Sequence, residues 1–171
     1  MPSDNAAGDV FIDGLRNAHA MEKQALSIMQ PQLNRLEHYP QVAALLDRHI
    51  RETEGQIARI EQILDSAGTS ASTLKDMSLS LSGTMAAMGH TVAGDEILKN
   101  SFANVAFENF EIAAYASLIA SAEMGGMSSA VPLLRQNLDE EVAMASALLE
   151  GLPGVTQQYI GLRASGERAD V

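Results

Sequence analysis

Four stretches of this chain place their inward-facing residues at alternating intervals of three and four, and the connections between them are short, long and short. In the first stretch, from near Asp9, residues Ile12, Leu15, His19, Glu22, Leu26, Met29 and Leu33 share one stripe, as a helix with one buried face requires. It ends at His38-Tyr39-Pro40, where the proline restricts its predecessor and suits the first turn of a new helix. The second runs from about Gln41 to Ser66, with Leu45, His49, Glu52, Gln56, Ile60 and Ile63 on its seam and Gly68 as a stop. The third covers about Glu96 to Met124, with Val105, Glu108, Glu111, Tyr115, Leu118 and Ala122 inward, and is broken by Gly125-Gly126. The fourth covers about Ser128 to Glu150, with Leu134, Leu138, Glu141, Ala145 and Leu148 inward, and ends at Gly151 to Gly154.

Between Gly68 and Asp95 the texture changes to Ser, Thr, Gly and Met, which predicts a crossover holding a short extra helix around Leu74 to Met88. The fold class expected is all-α. A hairpin of helices, one long crossover and a second hairpin is the connectivity of a ferritin-like four-helix bundle, whereas a cytokine bundle needs two long connections. Residues 1–8 are expected to be disordered, 9–160 to form the bundle and 161–171 to be a flexible tail.

Composition narrows the function. Lys and Arg total 11 against 22 Asp and Glu, a formal charge of −11, which argues against nucleic acid or an anionic membrane as partner. No run of 18 apolar residues offers a membrane span. The opening MPSDNAAGDV lacks the basic and apolar regions of a secretory signal, so a cytoplasmic location is expected. With no Cys, disulfides, thiolate clusters and cysteine nucleophiles are excluded, and any metal must rest on carboxylate, imidazole, amide or water. The nine Met, at helical spacing, read as core filler. No phosphate-binding glycine loop or nucleophile elbow is present.

Acids on the inward stripes carry the chemistry. Glu22, Glu52, Glu108, Glu111 and Glu141 place at least one carboxylate on each long helix. An ionised carboxylate out of water costs several kcal/mol even after relaxation, so such groups must be paired, protonated or bound to metal. No inward Lys or Arg recurs at their level. Glu108 and Glu111, three apart on one helix, are neighbours that repel when both are charged. A single inward Glu is usually solvated or salt-bridged; carboxylates on four helices at one depth point instead to a metal centre of the di-iron or di-manganese kind. His19 and His49, each one turn before a seam Glu, serve equally well as ligands or as hydrogen-bond partners of ligands. Gln56 reads as a weak ligand or an orienting group, and Tyr115 as a packed side chain donating its hydroxyl. Glu37, Glu54, Glu61, Glu123, Glu140 and Glu150 read as solvated, and His38 and His90 as loop residues.

The stretches HAMEKQAL (19–26), HIRETEGQIARIEQIL (49–64), FENFEIAAYASL (107–118) and LLRQNLDEEVAMASALL (133–149) resemble the YciE/YciF family of ferritin-like bacterial proteins over roughly residues 9–160. The resemblance implies a four-helix bundle, commonly dimeric and associated with stress responses. Ferritin-like di-iron proteins carry Glu-x-x-His on helices two and four, whereas Gly55 follows Glu52 and Met144 follows Glu141 at that spacing here. Asn109-Phe110 stand where the family often has His-Tyr, and Ala145 where it often has Asp. The expected metal set is Glu22, Glu52, Glu108, Glu111, Glu141, His49 and His19. It would hold one or two ions per chain, iron first, with manganese and zinc as alternatives. The expected function is non-haem metal binding with peroxide- or dioxygen-dependent Fe(II) oxidation in a homodimer; the alternative is a non-enzymatic helical dimer acting as a binding or structural protein.

Overall fold

A computed structural model describes residues 6–69 and 95–171. Four helices make up its regular structure: α1 (Ala6–Arg35), α2 (Pro40–Ser66), α3 (Glu96–Met124) and α4 (Val131–Ser165). The extra helix expected around Leu74 to Met88, His90 and most of the expected disordered N-terminus lie outside the described residues. α1 packs on α2 and α3, and α4 packs on the same two, closing a ring in which each helix has two neighbours. The start of α3 lies beside the end of α1, where Arg35 bonds Glu96 at 2.6 Å. α2 therefore runs parallel to α3, as one long crossover demands.

Pro40 opens α2, and its preceding Tyr39 holds an extended φ of −119°. The tight α3–α4 connection turns at Gly126, whose φ of +74° favours glycine. Aliphatic and Met side chains fill the core: Leu15, Met21, Leu46, Ile60, Leu134 and Met144 are fully buried. α1 and α3 approach closely at Gly14, where a Cβ would meet Leu118 Cδ2 at 2.8 Å. No helix of the described residues is long and apolar enough to cross a membrane.

α4 departs from expectation. It continues through Gly151, Pro153 and Gly154 to Ser165, past the predicted stop at Glu150. The cost of a helical glycine is about 1 kcal/mol and of proline about 3, and tertiary anchoring on this extension outweighs both. Val155 is buried there, and Gln158 accepts from Gln41 and donates to the His38 carbonyl in the α1–α2 loop. The segment predicted as a flexible tail is also anchored. Gly166 caps α4 in the left-handed region, Tyr39 donates to the Ala169 carbonyl at 2.6 Å, and the Ile97 amide donates to the Asp170 carbonyl at 3.0 Å. Ala169 and Val171 are buried.

Candidate metal centre

All four helices send polar side chains to one level of the core. α2 contributes His49, α3 contributes Glu108 and Glu111 one turn apart, α4 contributes Glu141, and α1 contributes Glu22; all five are buried. One ligand atom each from His49, Glu108, Glu111 and Glu141 can be chosen so that all lie within 4.8 Å of one another. Thr53 braces α2 by donating to the His49 carbonyl at 2.9 Å. Helix geometry brings the set together: Glu108 and Glu111 are three apart, and Tyr115 follows Glu111 by four on the same face.

His49 is the one side chain of these five that can carry a positive charge. Its Nε2 lies 3.3 Å from Glu108 Oε2 and 3.3 Å from Glu141 Oε2, while Nδ1 faces Glu52 at 3.1 Å. Burial opposes its charge, but the flanking carboxylates of Glu108 and Glu141 outweigh burial and push its pKa to about 11. One imidazolium does not neutralise four carboxylates. Burial raises Glu108 to about 8. Glu22 and Glu111 are held well above the ordinary carboxylate range, by burial first and then by repulsion from Glu141 for Glu22 and from Glu22 for Glu111. Tyr115 is also raised, through burial and the neighbouring Glu22 charge.

Much of this polar surface makes no hydrogen bond to protein. Glu22 Oε2, Glu108 Oε2, both oxygens of Glu111, Glu141 Oε2 and Gln56 Oε1 are buried without one, Glu108 Oε2 and Glu141 Oε2 having only the ion-pair contact with His49. Buried polar atoms are ordinarily paired, and each unpaired one costs about 1–3 kcal/mol. Five such carboxylate oxygens with an imidazole among them fit a hard or borderline divalent cation. The residues present suit a metal ion.

Two residues of the expected set sit apart from the buried cluster. Glu52 keeps 30% of its side chain exposed and pairs with Arg48 at 3.5 Å as well as with His49. His19 bonds Glu61 at 2.9 Å across α1 and α2. A three-four repeat defines a stripe wider than about 100°, and both residues fall at its margin: the buried centre of α1 follows Leu15, Ala18, Glu22 and Ala25, and that of α2 follows His49, Thr53, Gln56 and Ile60. Glu61 and Glu140, read as solvated, are engaged with His19 and Arg59.

Asn137 and Arg59 escaped sequence reasoning. Arg59 donates to Asn137 Oδ1, Asn137 donates to the Tyr115 hydroxyl at 2.9 Å, and Tyr115 donates to Glu22 Oε1. Gln56 donates to Glu141 Oε1. A signal for Asn137 was present: it lies between Leu134 and Glu141 at helical spacing, a polar residue on a buried seam.

Comparison with known proteins agrees with this architecture. The family model described as a domain of unknown function (DUF892) matches residues 6–161. Protein YciF of Escherichia coli K12 is 32% identical over 143 residues, covering 79% of this chain and 83% of YciF. The crystal structure of the E. coli stress protein YciF superposes with a TM-score of 0.72 at 27% identity, over 88% of this chain and 94% of that one. A Xanthomonas campestris protein of solved structure reaches a TM-score of 0.77 at 24% identity, over 92% of this chain and 98% of that one. The chain belongs to the DUF892 family, with YciF as a relative, and has the ferritin-like helical fold of that group.

Proposed function

We propose that this chain is a non-haem metal-binding protein of the ferritin-like carboxylate type. The observation that carries the reading is the set of five buried carboxylate oxygens, from three helices, that no neutral donor satisfies, those of Glu108, Glu111 and Glu141 gathered with His49 within reach of one ion. Glu22, Glu108, Glu111, Glu141 and His49 are the ligands proposed, with Glu52 at the solvent edge reaching His49. His19, engaged by Glu61, is assigned to the margin of the site. Iron is the metal proposed, one or two ions per chain, and Fe(II) held there would supply one electron per ion to peroxide or dioxygen, becoming Fe(III). The protein's own part is to exclude water, to hold the carboxylates at one depth and to exchange their protons for the cation. A relative whose crystal structure is described as that of a stress protein accords with an oxidant-handling role; the cytoplasm and a homodimer are the setting proposed for it.

Metal analysis of the purified full chain after reconstitution with Fe(II) or Mn(II) tests the reading. One or two equivalents bound per chain are expected; metal that stays well below one equivalent would sink it. A second reading has one observation in its favour, since His49 already supplies a cation between Glu108 and Glu141. On that reading the chain is a non-enzymatic helical protein, and its melting temperature ignores added metal. The metal reading requires a rise instead, because an ion at about a thousand times its Kd stabilises the fold by about 4 kcal/mol.

A further inference from the structure

The hydrogen bonds from Arg59 to Glu22 run in one direction only. A guanidinium has donors and no acceptor, so the bond from Arg59 Nε to Asn137 Oδ1 settles which way the amide faces. Asn137 Nδ2 then donates to the Tyr115 oxygen at 2.9 Å. Having accepted there, Tyr115 gives its single hydroxyl proton to Glu22 Oε1. Arg59 is itself anchored by Glu140 and lies over Gly55, where a Cβ would stand 3.4 Å from its Nη1. This series of donors crosses from α2 through α4 and α3 to α1. It ends with Glu22 Oε1 engaged and Glu22 Oε2 buried without a hydrogen bond.

Glu141 is treated in the same way by a different group. Gln56 Nε2 donates to Oε1, and Oε2 receives no neutral donor, facing the His49 imidazole at 3.3 Å. Glu111 receives no such donor: no amide or hydroxyl bonds either of its oxygens, and the groups around it are the other carboxyls, Glu141 among them. A network of neutral donors serving only to bury these carboxylates would satisfy both oxygens of each; here each neutral donor takes one oxygen, leaving Glu22 Oε2 without a partner and Glu141 Oε2 to the charge of His49.

We infer that Tyr115 and Gln56 are positioning residues that make Glu22 and Glu141 one-oxygen ligands presenting Oε2, that Glu111 is the carboxylate left to offer both oxygens, and that Arg59, through Asn137, sets the sense of the Tyr115 bond. This assignment rests on the metal-binding reading and adds to it the roles of individual carboxylates. Arg59 lies three hydrogen bonds from Glu22, yet its donor-only guanidinium decides which way the last donor in the series points.

Co(II) titration of the metal-free full chain, followed by d–d absorption, tests the assignment with Tyr115→Phe and Asn137→Asp. The first variant removes the donor with almost no change of shape. The second replaces the amide by a carboxylate, which has only acceptor oxygens and so draws the Tyr115 proton away from Glu22. Both variants are expected to bind Co(II) about tenfold more weakly, with weaker, shifted bands as Glu22 becomes free to bind through both oxygens. A purely structural network would lower the metal-free melting temperature and leave the bands unchanged. Wild-type affinity and bands in both variants would overturn the assignment while leaving metal binding intact. Failure of the unaltered chain to take up Co(II) would overturn the metal reading and the assignment together. If Tyr115→Phe does not fold, Asn137→Asp decides.

Discussion

Glu111 is the side chain for which the empty and the filled site differ most. It is buried, both its oxygens lack hydrogen bonds, and burial together with Glu22, Glu141 and Glu108 opposes its ionisation. In a metal-free protein such a group is a liability, and beside a cation it is an asset. Glu111→Gln keeps the shape and removes the charge. Without metal at about pH 8 the variant is expected to melt higher than the unaltered protein by about 3–6 °C, the equivalent of about 1–2 kcal/mol. Under the same conditions it should lose most of its affinity for divalent metal. Calorimetry of the metal-free proteins and a metal titration read the two effects separately, and a variant less stable yet equally able to bind would contradict the role given to Glu111. The residue was legible in the sequence because an acid on an apolar stripe, with no inward cation at its level, has few ways to exist. Asn137 and Arg59 were not, because periodicity does not show how far a long side chain reaches or which way an amide faces.

At the level of whole helices, α2 and α3 were readable because their ends carry unambiguous local chemistry, Pro40 opening the one and Gly125-Gly126 closing the other. α4 was not, since Gly151, Pro153 and Gly154 signal a stop that distant contacts at Val155 and Gln158 override. Local propensity is a sum over neighbours in sequence and carries no term for the α1–α2 loop against which this extension docks. The same reasoning explains why the segment beyond 160 reads as loose while Tyr39 and Ile97 hold it in place. If α4 is continuous, a Cβ at Gly151 or Gly154 meets no atom within 4 Å, and alanine gains helix propensity at both positions. The double variant Gly151→Ala/Gly154→Ala is expected to be more stable by about 1–2 kcal/mol, roughly 3–6 °C in melting temperature. A helix ending at Glu150 would gain nothing from the change.

Over the whole molecule, the surplus of acid divides into two populations. Many of the 22 acids face water, but the ring of helices encloses several whose charge is suppressed. In the metal-free protein, Glu22, Glu108 and Glu111 hold protons that an unfolded chain releases near 4.5. Their favourable contribution is complete below that value and disappears as pH rises through their folded values, about 8 for Glu108. The contribution of His49, complete below 6.5, drains away toward about 11, in the same direction. The metal-free melting temperature is therefore expected to fall by about 5–10 °C between about pH 5 and about pH 9. Saturating Mn(II) should flatten the slope, because the cation then holds the carboxylates ionised. A metal-free protein that grows more stable over this range would show the buried acids to be ionised already.

The protons stored beside His49 also bear on how empty and loaded molecules behave on a column. A divalent ion that enters by expelling two protons leaves the total charge where it was. At about pH 6 to 7, below the value of about 8 set by burial for Glu108, the two forms should elute together from an anion exchanger, and an unbuffered solution should turn acid as the site fills. Had those carboxylates been ionised beforehand, the loaded form would carry two fewer negative charges and leave the column first.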